Sequence, residues 1–357
     1  MDRISTRTGI AAIAVLLVAA ACSGGSPTPT PAPATDAPAT DAPATDMPGN
    51  GGVSGEIFVS GSSTVEPVSL AVAEAFRGAN PEFAYTVEGP GTGDGFALFC
   101  DGTTDVADAS RAIADDEVQL CADNGINYVE LLIGVDALTV MTHPDTPVDC
   151  LNLFDLYALF GPESDNITTW QDAGLLAAEL GSTTVFPTDL PLQITAPGEE
   201  SGTYDAFIEL SGIGELAVER GIIGEDDDPF LRVPGPNYTA SANDNVIIEG
   251  VEAGSGSIGF VGYAYFAEAG SALKAIQIDG GDGCIGPSPE TASDGSYAIT
   301  RPLYIYPNSD KAASNSALSA WVDFYLSDEG IAKVTEVGYV ALPAEDVAAT
   351  RDAWANR

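Results

Sequence analysis

The sequence has 357 residues and carries 12 Lys and Arg against 53 Asp and Glu, so its formal net charge is −41. A surface this acidic repels nucleic-acid backbones and argues against docking on anionic lipid through a basic patch. Because 45% of the residues are hydrophobic and His143 is the single histidine, the chain can bury cores but cannot build a multi-histidine metal site.

The first 21 residues are predicted to be a signal peptide. Arg3 and Arg7 precede an apolar run at residues 10–21, which is shorter than the roughly 20 residues that a membrane-spanning helix needs. Three alanines directly before Cys22 resemble a bacterial lipobox, in which the cysteine thiol is acylated. We therefore expect a lipid on Cys22 that anchors the protein to the cell membrane, with secretion of an unlipidated chain as the alternative.

Residues 22–54 are predicted to consist of the lipidated Cys22 and a disordered tether rich in Pro, Thr and Ala. Three near-identical units, ATDAP, ATDAP and ATDMP, follow one another at residues 34–48. Proline at every fifth position favours extended, semi-rigid chain, and such a composition buries no core. The segment is therefore expected to hold the folded part away from the membrane.

From residue 55 the pattern alternates strands with helices, which is typical of an α/β protein with parallel sheets. Two long apolar strands, at 128–142 and 297–306, are candidates for crossovers between two domains, and a single helix is expected at 311–326. We predict a first domain formed by residues 55–145 and 297–345. A second domain, residues 146–296, is predicted to be inserted into it.

Four cysteines remain after Cys22, and an even number in an exported chain indicates disulfides. Three pairings are possible. We favour Cys100–Cys121, which closes a short loop around one helix, and Cys150–Cys284, which joins the start and end of the middle segment.

Four loops carry small hydroxyl or glycine residues where a helix is expected to begin. They are Gly61–Thr64, Gly91–Gly95, Ser201–Thr203 and Ser241–Asn245. A helix N-terminus offers unpaired N–H groups and a partial positive charge, glycine allows close approach of the backbone, and Ser or Thr adds a hydroxyl donor. Each loop alone is also an ordinary helix cap, but four of them together favour an anion site.

Cations are scarce in the folded part, so their positions are informative. Arg111 follows a predicted strand directly, where ligand groups of α/β sheets gather, and its guanidinium suits a tetrahedral oxyanion. The alternative is a salt bridge to a nearby carboxylate. Arg301 is expected to be structural because it lies within a crossover strand, and Arg232 is a weaker candidate for the site. A capping or solvated role is expected for His143.

The ordered set of motifs resembles the phosphate-binding proteins of ABC importers, the PstS type. The motifs are GSST at 61–64, GTGDG at 91–95, DASR at 108–111, SGTY at 201–204, and YTAS at 238–241 followed by Asn243-Asp244-Asn245. The resemblance extends from residue 55 to about residue 344. It implies a type II periplasmic-binding-protein fold, in which two α/β domains joined by two crossover strands hold dehydrated phosphate in the cleft between them.

The resemblance also implies a set of phosphate-binding residues, assigned position by position. The set is Ser62, Ser63, Thr64, Val65 (through its backbone), Thr92, Ser110, Arg111, Ser201, Gly202, Thr203 and Asp244. Some family members have Asp where this chain has Arg111, and some have Arg where it has Pro197, so we expect the guanidinium to have moved to Arg111. Glu66 and Asp94 add negative charge near the site.

Selectivity for phosphate over sulfate needs a carboxylate that accepts the proton phosphate retains at neutral pH. We expect Asp244 to serve, with Asp94 as the alternative. The resulting hypothesis is a lipid-anchored, monomeric phosphate receptor that delivers its ligand to an ABC permease and that is neither an enzyme nor dependent on a metal or cofactor. A receptor for another oxyanion such as sulfate or molybdate, a surface sensor of the same fold, and a hydrolase are the alternatives.

Overall fold

The computed structural model describes residues 52–224 and 227–357, and within these ranges it contains twelve strands and fourteen α-helices. Among those residues there is no helix with the length and apolar character needed to cross a bilayer. The predicted signal peptide, Cys22 and nearly all of the predicted tether lie outside the described residues.

The described residues begin with the predicted alternation of strands and helices. Proline at position 67 lies in the first turn of the first helix, where its missing N–H costs nothing, and Val68, Val72 and Phe76 repeat at helical spacing on the buried face. The elements are β1 (Gly55–Gly61), α1 (Glu66–Ala79), β2 (Phe83–Glu88), α2 (Thr92–Cys100), β3 (Val106–Ala109), α3 (Asp115–Asp123) and β4 (Leu131–Thr142).

The middle of the chain continues with shorter strands and more helices. Its elements are β5 (Cys150–Asn152), α4 (Leu153–Phe160), α5 (Trp170–Leu180), β6 (Gln193–Ala196), α6 (Gly202–Ser211), α7 (Ile213–Glu219), β7 (Tyr238–Ala240), α8 (Asp244–Glu252), β8 (Ser257–Gly262), α9 (Tyr263–Ala269), β9 (Lys274–Ala275), β10 (Gln277–Asp279) and β11 (Cys284–Ile285).

The chain ends in one long strand and a group of helices. These are α10 (Pro289–Ser293), β12 (Thr300–Pro307), α11 (Ser309–Ser314), α12 (Ser316–Tyr325), α13 (Asp328–Glu336) and α14 (Ala344–Ala355). The single helix expected at 311–326 is instead two helices. They divide at Asn315, whose side chain accepts the backbone N–H groups of Ala317 and Leu318 (3.0 and 3.3 Å) and so caps a new helix.

Nine strands form one mixed sheet in the order β2-β1-β3-β12-β4-β8-β6-β7, with β9 also paired to β4. Strands β1, β2 and β3 are parallel to one another, and so are β6, β7 and β8. We call the part built on β1, β2 and β3 the first lobe and the part built on β6, β7 and β8 the second lobe. This two-lobed α/β arrangement agrees with the predicted fold class.

Strands β4 and β12 connect the lobes, as expected for the two long apolar strands. Residues 131–137 of β4 pair with β12, whereas residues 138–142 pair with β8 of the second lobe. On the other side β12 pairs with β3 of the first lobe. The residue boundaries of the two predicted domains stay a prediction.

Each lobe has its own hydrophobic core. In the first lobe α1 packs with α12 and the sheet, and Trp321 and Tyr325 are fully buried there. In the second lobe the rings of Phe207 and Phe260 stack at 3.8 Å, with Phe160 edge-on to both. Two separate cores joined by two strands leave a cleft between the lobes.

The structure contains both favoured disulfides. Cys100–Cys121 joins α2 to α3 across 21 positions, and Cys150–Cys284 joins β5 to β11 of a small three-stranded sheet across 134 positions.

Candidate anion-binding cleft

The first lobe brings three of its loops to one sheet edge because β1, β2 and β3 are parallel and their carboxyl ends meet there. The Ser62 N–H donates to the Asp108 carbonyl at 2.8 Å, which ties the loop after β1 to β3. The Ser62 hydroxyl accepts the Thr64 N–H at 3.2 Å and shapes the turn into α1.

The loops after β2 and β3 are joined through hydroxyl groups. Thr92 Oγ1 accepts the N–H of Ser110 at 3.2 Å and lies 3.2 Å from its hydroxyl. Gly91, at φ 119°, donates its N–H to the Gly61 carbonyl at 2.9 Å. A backbone at this φ suits glycine and turns the N-terminus of α2 toward the cleft. The three motifs of the first lobe therefore form one continuous surface.

The second lobe presents the N-termini of α6 and α8 to the same cleft. The Ser201 hydroxyl accepts the Thr203 N–H at 3.2 Å and caps α6, and the Asn243 side chain accepts the Asn245 N–H at 3.0 Å and caps α8. Gly202, Thr203 and Asp244 follow these caps. Their parallel strands β6 and β7 end at this edge, which explains why loops distant in sequence lie together.

The cleft between the lobes has a volume of about 720 Å³. Of the predicted phosphate-binding residues, Ser62, Ser63, Thr64, Thr92, Ser110, Arg111, Gly202, Thr203 and Asp244 line it. Most of the predicted set thus meets in one place although it comes from five loops.

Val65 and Ser201 do not line the cleft. The Val65 N–H donates to the Ser62 carbonyl at 3.1 Å, and its side chain is fully buried in the core. The Ser201 hydroxyl oxygen accepts the Thr203 N–H at 3.2 Å, and the Ser201 N–H donates to the Gly198 carbonyl at 3.0 Å. Both residues close the turn at a helix N-terminus rather than face the cleft.

Arg111 lies at the rim of the cleft in a bidentate ion pair. Its Nη1 and Nη2 each lie 2.8 Å from a carboxylate oxygen of Glu117, which also accepts the Ala114 N–H at the start of α3. The pair with Glu117 raises the pKa of Arg111. The salt bridge that the sequence left open as the alternative is therefore present, while Arg111 still lines the cleft.

Arg301, expected to be structural, lies inside the cleft. It is opposite Asp136 in the β12–β4 register, and its Nε donates to Asp136 Oδ2 at 3.1 Å. Its Nη2 donates to Thr64 Oγ1 at 2.8 Å and its Nη1 to Glu209 of α6. Sequence reasoning missed this cluster, although Asp136 and Arg301 are each a lone charge within a long apolar strand.

Carboxylates line the cleft as well: Asp136, Asp205, Glu209 and Asp244. Burial raises the pKa of Asp244, and it also raises the pKa of Asp205, which Arg301 partly offsets. Asp94, the alternative proton acceptor, does not line the cleft. The geometry thus favours Asp244 over Asp94 as a carboxylate within reach of a bound anion.

Asp108 lies beneath the first-lobe loops, fully buried, with no hydrogen-bond partner for either carboxylate oxygen. The nearby Ser69 hydroxyl, 3.4 Å from the Tyr325 phenol, lowers the pKa of Asp108 but does not offset the effect of burial. Burial raises the pKa of Asp108 to about 7. The folded state therefore favours the neutral carboxyl, whereas the unfolded chain ionises it near its ordinary pKa of about 3.9.

Asp108 should consequently make the protein less stable as the pH rises from about 4 to about 7, by up to about 4 kcal/mol, and the loss should be constant at higher pH. Urea unfolding measures the stability of Asp108→Asn relative to the wild type. This relative stability should be higher at pH 8 than at pH 4.5. Asp282→Asn, the same change at an exposed position, is the matched control. An Asp108→Asn difference that does not vary with pH would refute this reading.

Among residues 52–224 and 227–357, no group of three or more His, Cys, Asp and Glu side chains is placed to hold a metal ion. The cleft chemistry in this part of the chain rests on hydroxyl, amide, guanidinium and carboxylate groups.

Comparisons with known proteins agree on the class of fold. A family model described as a PBP superfamily domain matches residues 36–329. Protein SphX of Synechocystis sp. is 38% identical over 82% of this chain and 80% of its own length. The phosphate-binding protein PstS of Staphylococcus saprophyticus is 31% identical over 82% of each chain. The crystal structure of a possible phosphate binding protein from Planctomyces limnophilus is 34% identical, with a TM-score of 0.73, over 85% of this chain and 99% of that one.

Proposed function

We propose that this chain, which belongs to the periplasmic-binding-protein (PBP) superfamily, is an extracytoplasmic phosphate receptor. It binds inorganic phosphate and delivers it to an ABC import permease. Relatives that carry the name phosphate-binding protein, at more than 30% identity over most of both chains, support this choice of ligand. The function is transport and not catalysis.

The observation that carries the proposal is the convergence of hydroxyl and amide groups from both lobes on one cleft. Ser62, Thr64 and Thr92 approach from the first lobe, and Gly202 and Thr203 approach from the second. Phosphate loses its water shell only where several donors replace it, and helix N-termini stabilise its charge. Because these donors are local, they act on a bound anion even though the chain as a whole is strongly acidic.

Selectivity is proposed to rest on Asp244. Phosphate keeps at least one proton at neutral pH and can donate it to a carboxylate, whereas sulfate has no proton to donate and is repelled. Asp244 lies at the N-terminus of α8, half-buried against the cleft. A carboxylate here leaves a buried acceptor unpaired whenever a fully ionised oxyanion enters.

Anchoring at the membrane is proposed through a lipid on Cys22. The tether would then separate the folded part from the membrane surface and let the receptor reach its permease. We propose that the receptor acts as a monomer.

Calorimetric titration of the purified protein with phosphate, sulfate, arsenate and molybdate tests the function. Phosphate should bind with one ion per chain, and sulfate at least about 100-fold more weakly. Thr92→Val should weaken phosphate binding about tenfold or more, because it removes one hydroxyl from the cleft. Thr103→Val, the same change in the exposed turn after α2, is the matched control. Absence of phosphate binding, or equal affinity for sulfate, would refute the assignment.

A further inference from the structure

Arg301 is held in the cleft by a buried partner that leaves part of its guanidinium for other groups. Its Nε is 3.1 Å from Asp136, and the side chains of Arg301 and Asp136 are only 9% and 4% exposed. The two residues are directly opposite on β12 and β4, the strands that connect the lobes. Asp136 therefore fixes the position of the guanidinium and stays with it.

The remaining nitrogens of Arg301 face the proposed phosphate loops of both lobes. Nη2 donates to Thr64 Oγ1 at 2.8 Å, and the Thr64 carbonyl accepts the Tyr339 hydroxyl at 2.9 Å. Nη1 donates to Glu209, which lies on the same helix as Gly202 and Thr203. One guanidinium thus contacts the first lobe through a predicted ligand residue and the second lobe through a carboxylate.

Glu209 differs from Asp136 in how firmly it is held. The Glu209 side chain is 63% exposed and already hydrated, so it can move away from Arg301 into water with little rearrangement of the protein. The buried Asp136 has no such path. Arg301, in contrast, has its charge in a nearly dry position where a bound anion interacts strongly with it. Glu209, the less firmly held of the two carboxylates at Arg301, is therefore the one that a ligand can replace.

We infer that Arg301 is a phosphate-binding residue and that Glu209, which accepts from its Nη1 in this structure, is displaced by the ligand. This inference rests on the proposed function. Phosphate and Glu209 compete for the same donor, so Glu209 lowers the affinity for phosphate and sets the concentration at which the receptor fills. No covalent step is involved, only the exchange of one oxyanion for another at Nη1.

Glu209→Gln tests the inference, because glutamine keeps the shape of glutamate but holds a guanidinium far more weakly. Calorimetric titration should show phosphate binding about tenfold tighter than in the wild type. Glu215→Gln removes the same charge from the next helix, where Glu215 is exposed and does not line the cleft. It should change the affinity by less than about twofold. A gain in affinity is an outcome that mere structural damage does not produce.

A second background tests whether Glu209 acts through Arg301. In Asp136→Asn/Arg301→Gln the buried pair is replaced by neutral amides, and phosphate binding should be at least about tenfold weaker than in the wild type. Adding Glu209→Gln to that background should then change the affinity by less than about twofold. The same tenfold gain in both backgrounds would show a general charge effect and overturn the inference.

The outcomes separate this inference from the proposed function. If the wild type binds phosphate and Glu209→Gln binds it equally well or more weakly, the inference is wrong and the function stands. If neither protein binds phosphate, the proposed function is wrong and the inference falls with it.

Discussion

Replacing Gly95 with alanine should destabilise the protein by about 3 kcal/mol or more. Gly95 is buried in α2, where the helix crosses β1 so closely that an added Cβ would overlap Gly61 Cα and lie 2.9 Å from the Ser60 carbonyl oxygen. Both contacts are with backbone, so a side-chain rotation cannot relieve them. Urea unfolding should show a lower midpoint, and the shift of α2 should also weaken phosphate binding.

Gly93, two residues earlier in the same motif, is the matched control. An added Cβ at this exposed helical position meets nothing within 4 Å. Alanine should therefore stabilise the protein by up to about 1 kcal/mol, because glycine is a poor helix former. Equal midpoints for Gly93→Ala and Gly95→Ala would show that α2 does not pack on β1 at this distance.

Removing the Cys150–Cys284 disulfide by Cys150→Ala and Cys284→Ala should lower the free energy of unfolding by about 5 kcal/mol. The bridge spans 134 positions, so it restricts the unfolded chain over more than a third of its length. Because this effect acts on the unfolded state, the loss should appear as slower refolding, with the unfolding rate unchanged within about threefold.

The other disulfide provides the contrast. Cys100–Cys121 closes a loop of 21 positions, and both of its residues are fully buried in a small core beside Phe96 and Tyr306. Its double alanine variant should lose about 3 kcal/mol from the shorter loop, and it should also unfold faster because core contacts are lost. Stopped-flow unfolding of both variants measures the difference. If the unfolding rate of the Cys150→Ala/Cys284→Ala variant rises enough to explain its whole loss of stability, the account is wrong.

Much of the order of strands and helices, and the loops that line the cleft, could be predicted from sequence because their signals are local. Each motif at Gly61–Thr64, Gly91–Gly95 and Ser201–Thr203 combines a strand end, small residues and a helix start, and the structure brings these motifs to one cleft. Parallel pairing within each lobe makes the convergence a consequence of topology. Of the three possible disulfide pairings, the structure contains the one that the sequence analysis favoured.

The sequence analysis did not place Arg301 in the cleft because its role depends on partners far away in the chain. Asp136 is 165 positions distant and Thr64 is 237. Within β12 the sequence shows one charged residue in an apolar strand, but it does not show whether that residue points to a core, to solvent or to a cleft. Only the antiparallel register of β4 and β12 places the two charges together.

Arg111 and Val65 are the opposite case: for each of them the local sequence is compatible with two arrangements. Arg111 is followed six positions later by Glu117, which can cap α3 and bind the guanidinium at once, and the structure has it do both. The Val65 amide could face a ligand or close the turn before α1, and it closes the turn. Local spacing fits either arrangement, so tertiary contacts decide.

The central claim is that donors from both lobes and Arg301 bind one phosphate ion in the cleft. A crystal structure of the protein grown with phosphate tests it most directly. The account predicts a single tetrahedral ion in contact with Thr64 and Thr92 of the first lobe, Thr203 of the second and Nη1 of Arg301, with Glu209 displaced. An ion held by one lobe alone, or a cleft without phosphate while the ion binds elsewhere, would contradict it.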